Sequence, residues 1–393
     1  MLSECFSKLI HPPVTTHSRI LINDTLAYPA ITICRSPPYK TSVLKKYGLG
    51  ENIRWTSEWE NFPHDQYTLQ NFWDEASYAM RDTIPFYAMG GRKENLSVES
   101  STYFLSGKCH TFKSLARINS TGKNSGYAFL LRHSCWNCNE TDVGWNVYIH
   151  EASEVWTENG KEATGRVESV FVETQEVLHI KVSVQEFHRL HQPPEYPCNT
   201  NYSYSVSLCQ ESCHWNSMVR TIGCSAPYLR GIDMPHCNDS ESHKALMTAY
   251  LTSTCENPCC NCIQPCHTVH FTASIVNRHL QTNLTYSTVF IYFTNKMVSI
   301  VEEHYTYNWS NFVADLGGSL GFLLGLSVLG VIGIIERLVE ISIKCANMSQ
   351  DLAPEGLIED KETWRMAKDK NHSIKNTDIG NRNYEIGGVA YKY

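Results

Sequence analysis

The longest uninterrupted apolar run in the chain lies toward its C-terminal end. Leu316 to Ile335 holds twenty residues without a charge, bounded by Asp315 and Glu336. As a helix rising about 1.5 Å per residue it covers roughly 30 Å, the thickness of bilayer hydrocarbon. Six of the twenty are Gly, at 317, 318, 321, 325, 330 and 333. Each would cost a water-exposed helix on the order of 1 kcal/mol against Ala. In a membrane the same glycines let helices approach closely and, where a helix opens, turn carbonyls toward an aqueous path. This pattern supports two readings: an anchor that self-associates through Gly317, Gly321 and Gly325, or a segment lining a pore.

Elsewhere the patterning is that of a mixed α+β chain. Residues 1–27 are polar and irregular, with Pro12-Pro13 blocking helix. Tyr28 to Cys34 is β-rich after Pro29 and runs into the Pro37-Pro38 turn. Tyr67 to Met80 carries apolar or aromatic residues at 69, 72, 73, 76 and 80, a helical spacing that ends before Pro85. Strands are predicted over Tyr103–Phe112, Gly144–His150, Ser169–Val172 and Leu178–Val184. Pro193-Pro194 closes this half. A helix is expected near Ser242–Leu251. Tyr286–Phe293 alternates as a strand and leads through Tyr305, Tyr307 and Trp309, aromatics suited to a bilayer interface. Residues 345–393 are polar and poor in large apolar groups, a composition that predicts disorder.

Composition narrows the class. The net charge of −7 and the absence of a basic stripe argue against nucleic acid. Of sixteen Cys, fourteen fall between Cys34 and Cys266, ahead of the apolar run; Cys5 and Cys345 lie outside that block. Such a density reads as disulfides in an oxidising compartment. Eight Asn-X-Ser/Thr glycosylation acceptors accompany them, at Asn23, Asn95, Asn119, Asn139, Asn201, Asn238, Asn283 and Asn308. The region up to about residue 314 is therefore expected outside the cell. No Lys or Arg occurs between Lys296 and Arg337, whereas Arg337 and Lys344 follow the run and the tail holds several more Lys and Arg, a bias that places the C-terminus in the cytosol. Residues 1–30 hold no apolar core fit for a signal peptide or a span. The expectation is an upstream hydrophobic segment missing from this sequence.

Several short motifs, taken together, resemble the trimeric sodium channels that include degenerins, epithelial sodium channels and acid-sensing ion channels. Tyr28-Pro29-Ala30-Ile31-Thr32-Ile33-Cys34 is similar to the segment that follows the family's first membrane helix. Gly107-Lys108-Cys109-His110-Thr111-Phe112 and Val147-Tyr148-Ile149-His150 are similar to two of its strands. Tyr204-Ser205 with Cys209 and Cys213, and Cys260-X-Cys262-X3-Cys266, resemble the two halves of its thumb. Asp315-X-Gly317-Gly318-X-X-Gly321 and Gly325-Leu326-Ser327 resemble its pore entrance and its Gly-X-Ser selectivity filter. The likeness spans about residues 20–340.

The resemblance implies a division of the chain. Residues 1–27 would be the remnant after a missing first membrane helix, 28–197 a β-rich palm and finger, and 198–285 a helical cysteine-bridged thumb. Residues 286–314 would be a palm strand and link, 315–343 a pore-lining transmembrane helix, and 344–393 the cytosolic tail. It also implies the disulfides Cys34–Cys109, Cys198–Cys266, Cys209–Cys262, Cys213–Cys260 and Cys224–Cys237. Cys135, Cys138, Cys255 and Cys259 depart from the family pattern, and local pairs Cys135–Cys138 and Cys255–Cys259 are the simplest expectation. A zinc site at Cys260 and Cys262 is the rival reading, disfavoured in an oxidising compartment; no metal ligand is named.

At the site itself, extended backbone at Gly325-Leu326-Ser327 would offer carbonyls and a hydroxyl to a partly dehydrated cation. Residue chemistry gives a narrow, oxygen-lined, cation-preferring path; the resemblance adds Na+ as permeant ion, block by amiloride-type cations, and a homo- or heterotrimer as the assembly. Asp315 is expected at the outer mouth, as a cation attractor or a helix cap. Ala314 falls at the family position where residue size governs opening. Glu336 matches the second of two inner acidic positions, while Gly333 stands at the first and puts sodium preference in question. Tyr196 occupies the place of a Trp that couples thumb to membrane in the family. The competing function is a single-pass, disulfide-rich receptor or adhesion protein, or a non-conducting regulatory subunit. An ectoenzyme is disfavoured, because no metal His pair, nucleophile elbow or phosphate loop is present.

Overall fold

A computed structural model describes residues 2–50, 53, 56–117, 119–133, 144–158, 166–191, 196–252, 260–281, 285–324 and 328–350. In chain order the elements are α1 (Leu2–Ile10), β1 (Val14–Ile22), β2 (Ala30–Ser36), α2 (Thr41–Lys46), α3 (Leu69–Ala76), α4 (Met80–Thr83), β3 (Phe86–Met89), β4 (Leu96–Tyr103) and β5 (Gly107–Ser114). There follow β6 (Tyr127–Arg132), β7 (Gly144–His150), β8 (Glu168–Glu173), β9 (Glu176–His188), α5 (Val206–Ile222) and α6 (Ser240–Thr252). The chain continues through β10 (His267–Leu280), β11 (Tyr286–Tyr305), α7 (Trp309–Leu324) and α8 (Val328–Gln350). Two compact units result, Ile10–Asn308 and Met1–Leu9 with Trp309–Tyr393.

The larger unit is built on two sheets. One runs β10-β9-β11-β6-β3, with β1 pairing the distal part of β11; the other runs β4-β5-β2-β7-β8. Alternation explains β9: Leu178, Ile180, Val182 and Val184 are buried, while the residues between them are partly or fully exposed. These side chains meet Val289, Ile291 and Phe293 of β11 and Ile31, Ile33, Trp145, Val147 and Ile149 of the second sheet in a continuous core. β11 is long enough to pair twice. Its first half is antiparallel to β6 and its second to β1, with β9 parallel beside it at Thr288–Phe293 and again at Val298–Glu302.

A helical cluster forms a second core. Trp59, Phe72, Trp73 and Phe104 pack with Trp215 of α5 and Leu246 and Met247 of α6. Trp215 stacks on Tyr250 at 4.8 Å between ring centroids. α5 starts where Ser205 Oγ accepts from the Leu208 amide at 3.1 Å, and the Glu154 carboxylate accepts from Ser207 N at 2.8 Å. A carboxylate there complements the helix dipole. α5 stops at Gly223, whose φ of 89° is the left-handed cap that Gly adopts without strain.

Three sequence expectations change. Residues 1–27 are not irregular: they hold α1 and the nine-residue strand β1. β1 shows no alternating signal because nearly all its side chains are exposed, and its backbone ladder to β11 holds it in place. The helical spacing over Tyr67–Met80 yields two helices, because Ser77 is extended (ψ 154°) and ends α3. Tyr103–Phe112 likewise divides: Tyr103 ends β4, and Gly107, with φ of 68°, opens β5. A Cβ on Gly107 would stand 2.7 Å from the Pro38 carbonyl oxygen, so Gly is required on both counts.

Candidate pore segment and the bridged ectodomain

The apolar run Leu316–Ile335 is carried by α7 and α8. Residues 325–327, the Gly-Leu-Ser triplet, lie outside the described residues. Among the described residues no helix is long and apolar enough to cross a membrane. The reason is visible in the parts. α7 has 16 residues, and α8, though 23 long, carries Glu336, Arg337, Glu340 and Lys344.

What α8 does with its apolar side chains is informative. Leu329, Ile334, Ile335, Leu338, Val339, Ile341 and Ile343 are all at least half exposed. These positions fall on every side of the helix, so the protomer itself offers them no core. A soluble monomer rarely leaves so much contiguous apolar surface open to water. A Cβ placed on Gly317, Gly318 or Gly333 would meet nothing within 4 Å, so these positions are also open.

Within the same unit, α1 packs on the start of α7. Phe6 meets Phe312 edge-to-face at 5.1 Å, and Trp309 lies 5.2 Å from Phe312. Beside this contact a cleft of about 490 Å3 is lined by Glu4, Cys5 and Lys8 of α1 and by Ala314, Asp315, Gly318, Ser319 and Phe322 of α7. Ala314 and Asp315 are exposed on this helix, and Asp315 lies within it rather than capping its start, which is at Trp309. Glu336 is exposed on α8. Sequence reasoning missed α1 because only Cys5 among its described side chains is buried, too little to make a periodic signal.

Among the described residues five disulfides staple the larger unit: Cys34–Cys109, Cys198–Cys266, Cys209–Cys262, Cys213–Cys260 and Cys224–Cys237. These are the pairs the family resemblance implies. Cys260 and Cys262 are therefore bridged sulfurs rather than zinc thiolates. Cys34 and Cys109 face each other across β2 and β5, and Cys209 and Cys213 tie one face of α5 to the returning chain at 260–262. Cys5 and Cys345 are free, and Cys135, Cys138, Cys255 and Cys259 lie outside the described residues.

Of the acceptor asparagines, Asn119, Asn201, Asn238 and Asn308 are exposed, whereas Asn23 and Asn95 are partly covered; Asn139 and Asn283 lie outside the described residues. Tyr196 is 52% exposed.

A polar network that no sequence motif announced joins α5 to the end of β4. Arg230 donates to the Trp156 carbonyl at 3.0 Å and to Glu211 at 3.3 Å, and its guanidinium sits 4.8 Å over the Tyr103 ring. Burial pushes the Glu211 carboxyl up to about 7, against the pull of Arg230. Glu158 accepts from the Leu105 amide at 2.9 Å and from the Tyr250 hydroxyl at 2.8 Å, fixing the turn after β4 to α6.

Comparison with known proteins accounts for this combination of a bridged two-sheet ectodomain and glycine-rich terminal helices. Residues 1–336 match the family described as amiloride-sensitive sodium channel, and the chain belongs to that family. It is 22% identical to degenerin del-1 of Caenorhabditis elegans over 291 residues, 65% of this chain and 44% of that protein. It is 20% identical to acid-sensing ion channel 1A of Danio rerio over 353 residues, 76% of this chain and 66% of that protein. With acid-sensing ion channel 1 of Gallus gallus it shares 21% identity over 442 aligned positions, 94% of this chain and 78% of that protein. The chain thus spans less than two thirds of the first two relatives. Among solved structures, a proton-activated chloride channel gives a TM-score of 0.32 at 9% identity, covering 86% of this chain and 90% of that chain, a likeness too low to carry an argument. The family consists of ion channels, not enzymes.

Proposed function

We propose that the protein is a subunit of a trimeric, stimulus-gated, sodium-selective cation channel of the plasma membrane. Its C-terminal apolar segment lines the pore. The ring of three Gly325-Leu326-Ser327 segments forms the filter, where backbone carbonyls and the Ser hydroxyl replace part of the ion's hydration. Asp315 concentrates cations at the outer mouth through the summed field of three carboxylates. Ala314 governs opening beside it, Glu336 faces the inner pore, and Tyr196 couples the thumb to the membrane segment. The ectodomain is extracellular and N-glycosylated, and the tail from residue 344 is cytosolic.

The observation that carries this reading is the exposed apolar surface around α8, together with the open glycines of α7, in a chain of this family. Apolar groups on every side of a helix are stable against lipid on one side and against other pore helices on another. The partners are accordingly further copies of this chain or other subunits of the family.

The reading is tested by recording from cells that express the full-length product containing this chain, alone and with family subunits. Asp315→Asn is expected to lower single-channel sodium conductance, most strongly at low ionic strength, where surface charge is least screened. Equal conductance at every ionic strength would remove Asp315 from the mouth.

A further inference from the structure

The core-facing side of β9 changes character toward its end. Leu178, Ile180, Val182 and Val184 are apolar and buried; the next two residues on that face are Glu186 and His188. Cross-strand register puts His267 of β10 directly opposite His188. Glu186 Oε2 lies 3.6 Å from His188 Nε2 and 3.9 Å from His267 Nε2. The imidazole rings are 4.7 Å apart and nearly perpendicular. All three candidate donor atoms fall within 4.8 Å of one another. His188 Nε2 is itself buried and has no hydrogen-bond partner among the described residues.

We propose that Glu186, His188 and His267 bind a divalent transition-metal ion of the zinc class. Two imidazole nitrogens and one carboxylate are a donor set for a borderline ion, and an open fourth position would take water. Calcium and magnesium require oxygen donors and are disfavoured here. In a tetrahedral zinc site donor atoms stand about 3.3 Å apart, so side-chain torsions must draw these three in by no more than about 1.5 Å. The position gives binding a consequence. β9 ends and β10 begins where the chain leaves and re-enters the sheet around the Cys198–Cys266 bond, so the ion would clamp the two strands at the root of the cysteine-rich helices. The adjacent group of His191, Cys198 and Cys266 is no rival, because its two sulfurs are bonded to each other.

Sequence alone did not reveal the site. Glu186-X-His188 is a strand-spaced pair, but the third donor lies 79 residues further along the chain and is brought in only by register.

The test is a ZnCl2 titration of the full chain in detergent micelles by calorimetry, with the visible absorption of bound Co2+ as a second readout of coordination. One saturable site per chain is expected, with the intense band of four-coordinate Co2+ and no displacement by excess Ca2+. His188→Ala and His267→Ala should each weaken zinc by more than the roughly 10- to 100-fold that loss of an outer-sphere partner costs. His304→Ala should leave it unchanged, although His304 stands 3.4 Å from Glu302 in a similar His–Glu pair. His188 is 42% exposed, so its variant is expected to fold, with retention of the five disulfides as the check. No saturable zinc binding by the unaltered chain, an equal affinity in the His188 and His267 variants, or displacement by Ca2+ would each overturn the proposal. The readout is metal binding, not current, so its outcome is separate from that of the channel reading.

Discussion

Four histidines are held neutral inside the ectodomain, each by burial: His110, His133 and His150 are pushed down to about 4 and His243 to about 3. Two have hydrogen bonds that require a bare nitrogen. His133 Nε2 accepts from the Gln175 amide at 3.0 Å. His150 Nδ1 meets the Glu151 carbonyl at 2.9 Å and so carries the proton, which leaves Nε2 to accept from the Thr32 hydroxyl at 2.9 Å. An unfolded histidine takes up a proton near pH 6.5, so these four favour the unfolded chain increasingly as pH falls from 6.5 toward 4. Each contributes a slope of up to about 1.4 kcal/mol per pH unit across that window. Glu211 acts in the opposite sense: its raised value means the folded state holds a proton that the unfolded state releases, so it loses stability as pH rises from about 4.5 to 7. Glu151, also raised by burial, acts in the same sense, and the four histidines outweigh the two carboxyls. Thermal unfolding of the full chain should therefore show a lower Tm at pH 5 than at pH 7, and His243→Phe should flatten that dependence. An unchanged Tm over this range would contradict the buried-neutral assignment. None of this was legible in seventeen His of the sequence, because burial is decided by partners far along the chain.

Among the elements, those that fill a core announced themselves and those held by backbone pairing did not. Gly144–His150 is a strand in both accounts because Trp145, Val147, Tyr148 and Ile149 must all be buried. The helix expected at Ser242–Leu251 is α6, whose His243, Leu246, Met247 and Tyr250 share a face. β1 and α1 bury almost nothing of their own, so periodicity was silent about them. The glycine-rich run read from its residues as a self-associating anchor or a pore segment, and the family resemblance pointed to the second; the contacts proposed across a pore would be made between copies of the chain. The disulfides give the element-scale prediction. Cys224–Cys237 closes a loop of 13 residues that carries Ala226, Tyr228 and Leu229 into the helical core. Replacing both cysteines with Ser should destabilise the protein by about 3 kcal/mol, from loop-closure entropy alone. Urea unfolding of the glycosylated chain measures it, and a loss well under 1 kcal/mol would show that the loop is held by packing without the bond.

For the whole molecule the division of labour is clear. The larger unit combines a two-sheet body with a helical, disulfide-bonded cluster, and the terminal helices form a separate unit. In the proposed trimer, three copies would bring three glycine-rich segments around one axis, where narrowness and oxygen ligands would select the ion. That claim stands or falls on the filter residues. The most direct measurement is the reversal potential under bi-ionic sodium and potassium, with amiloride block, for the full-length product and for its Ser327→Cys variant. Sodium preference and block in the parent, both altered in the variant, is the result expected here. A current whose ion preference and block are the same in parent and variant would contradict it.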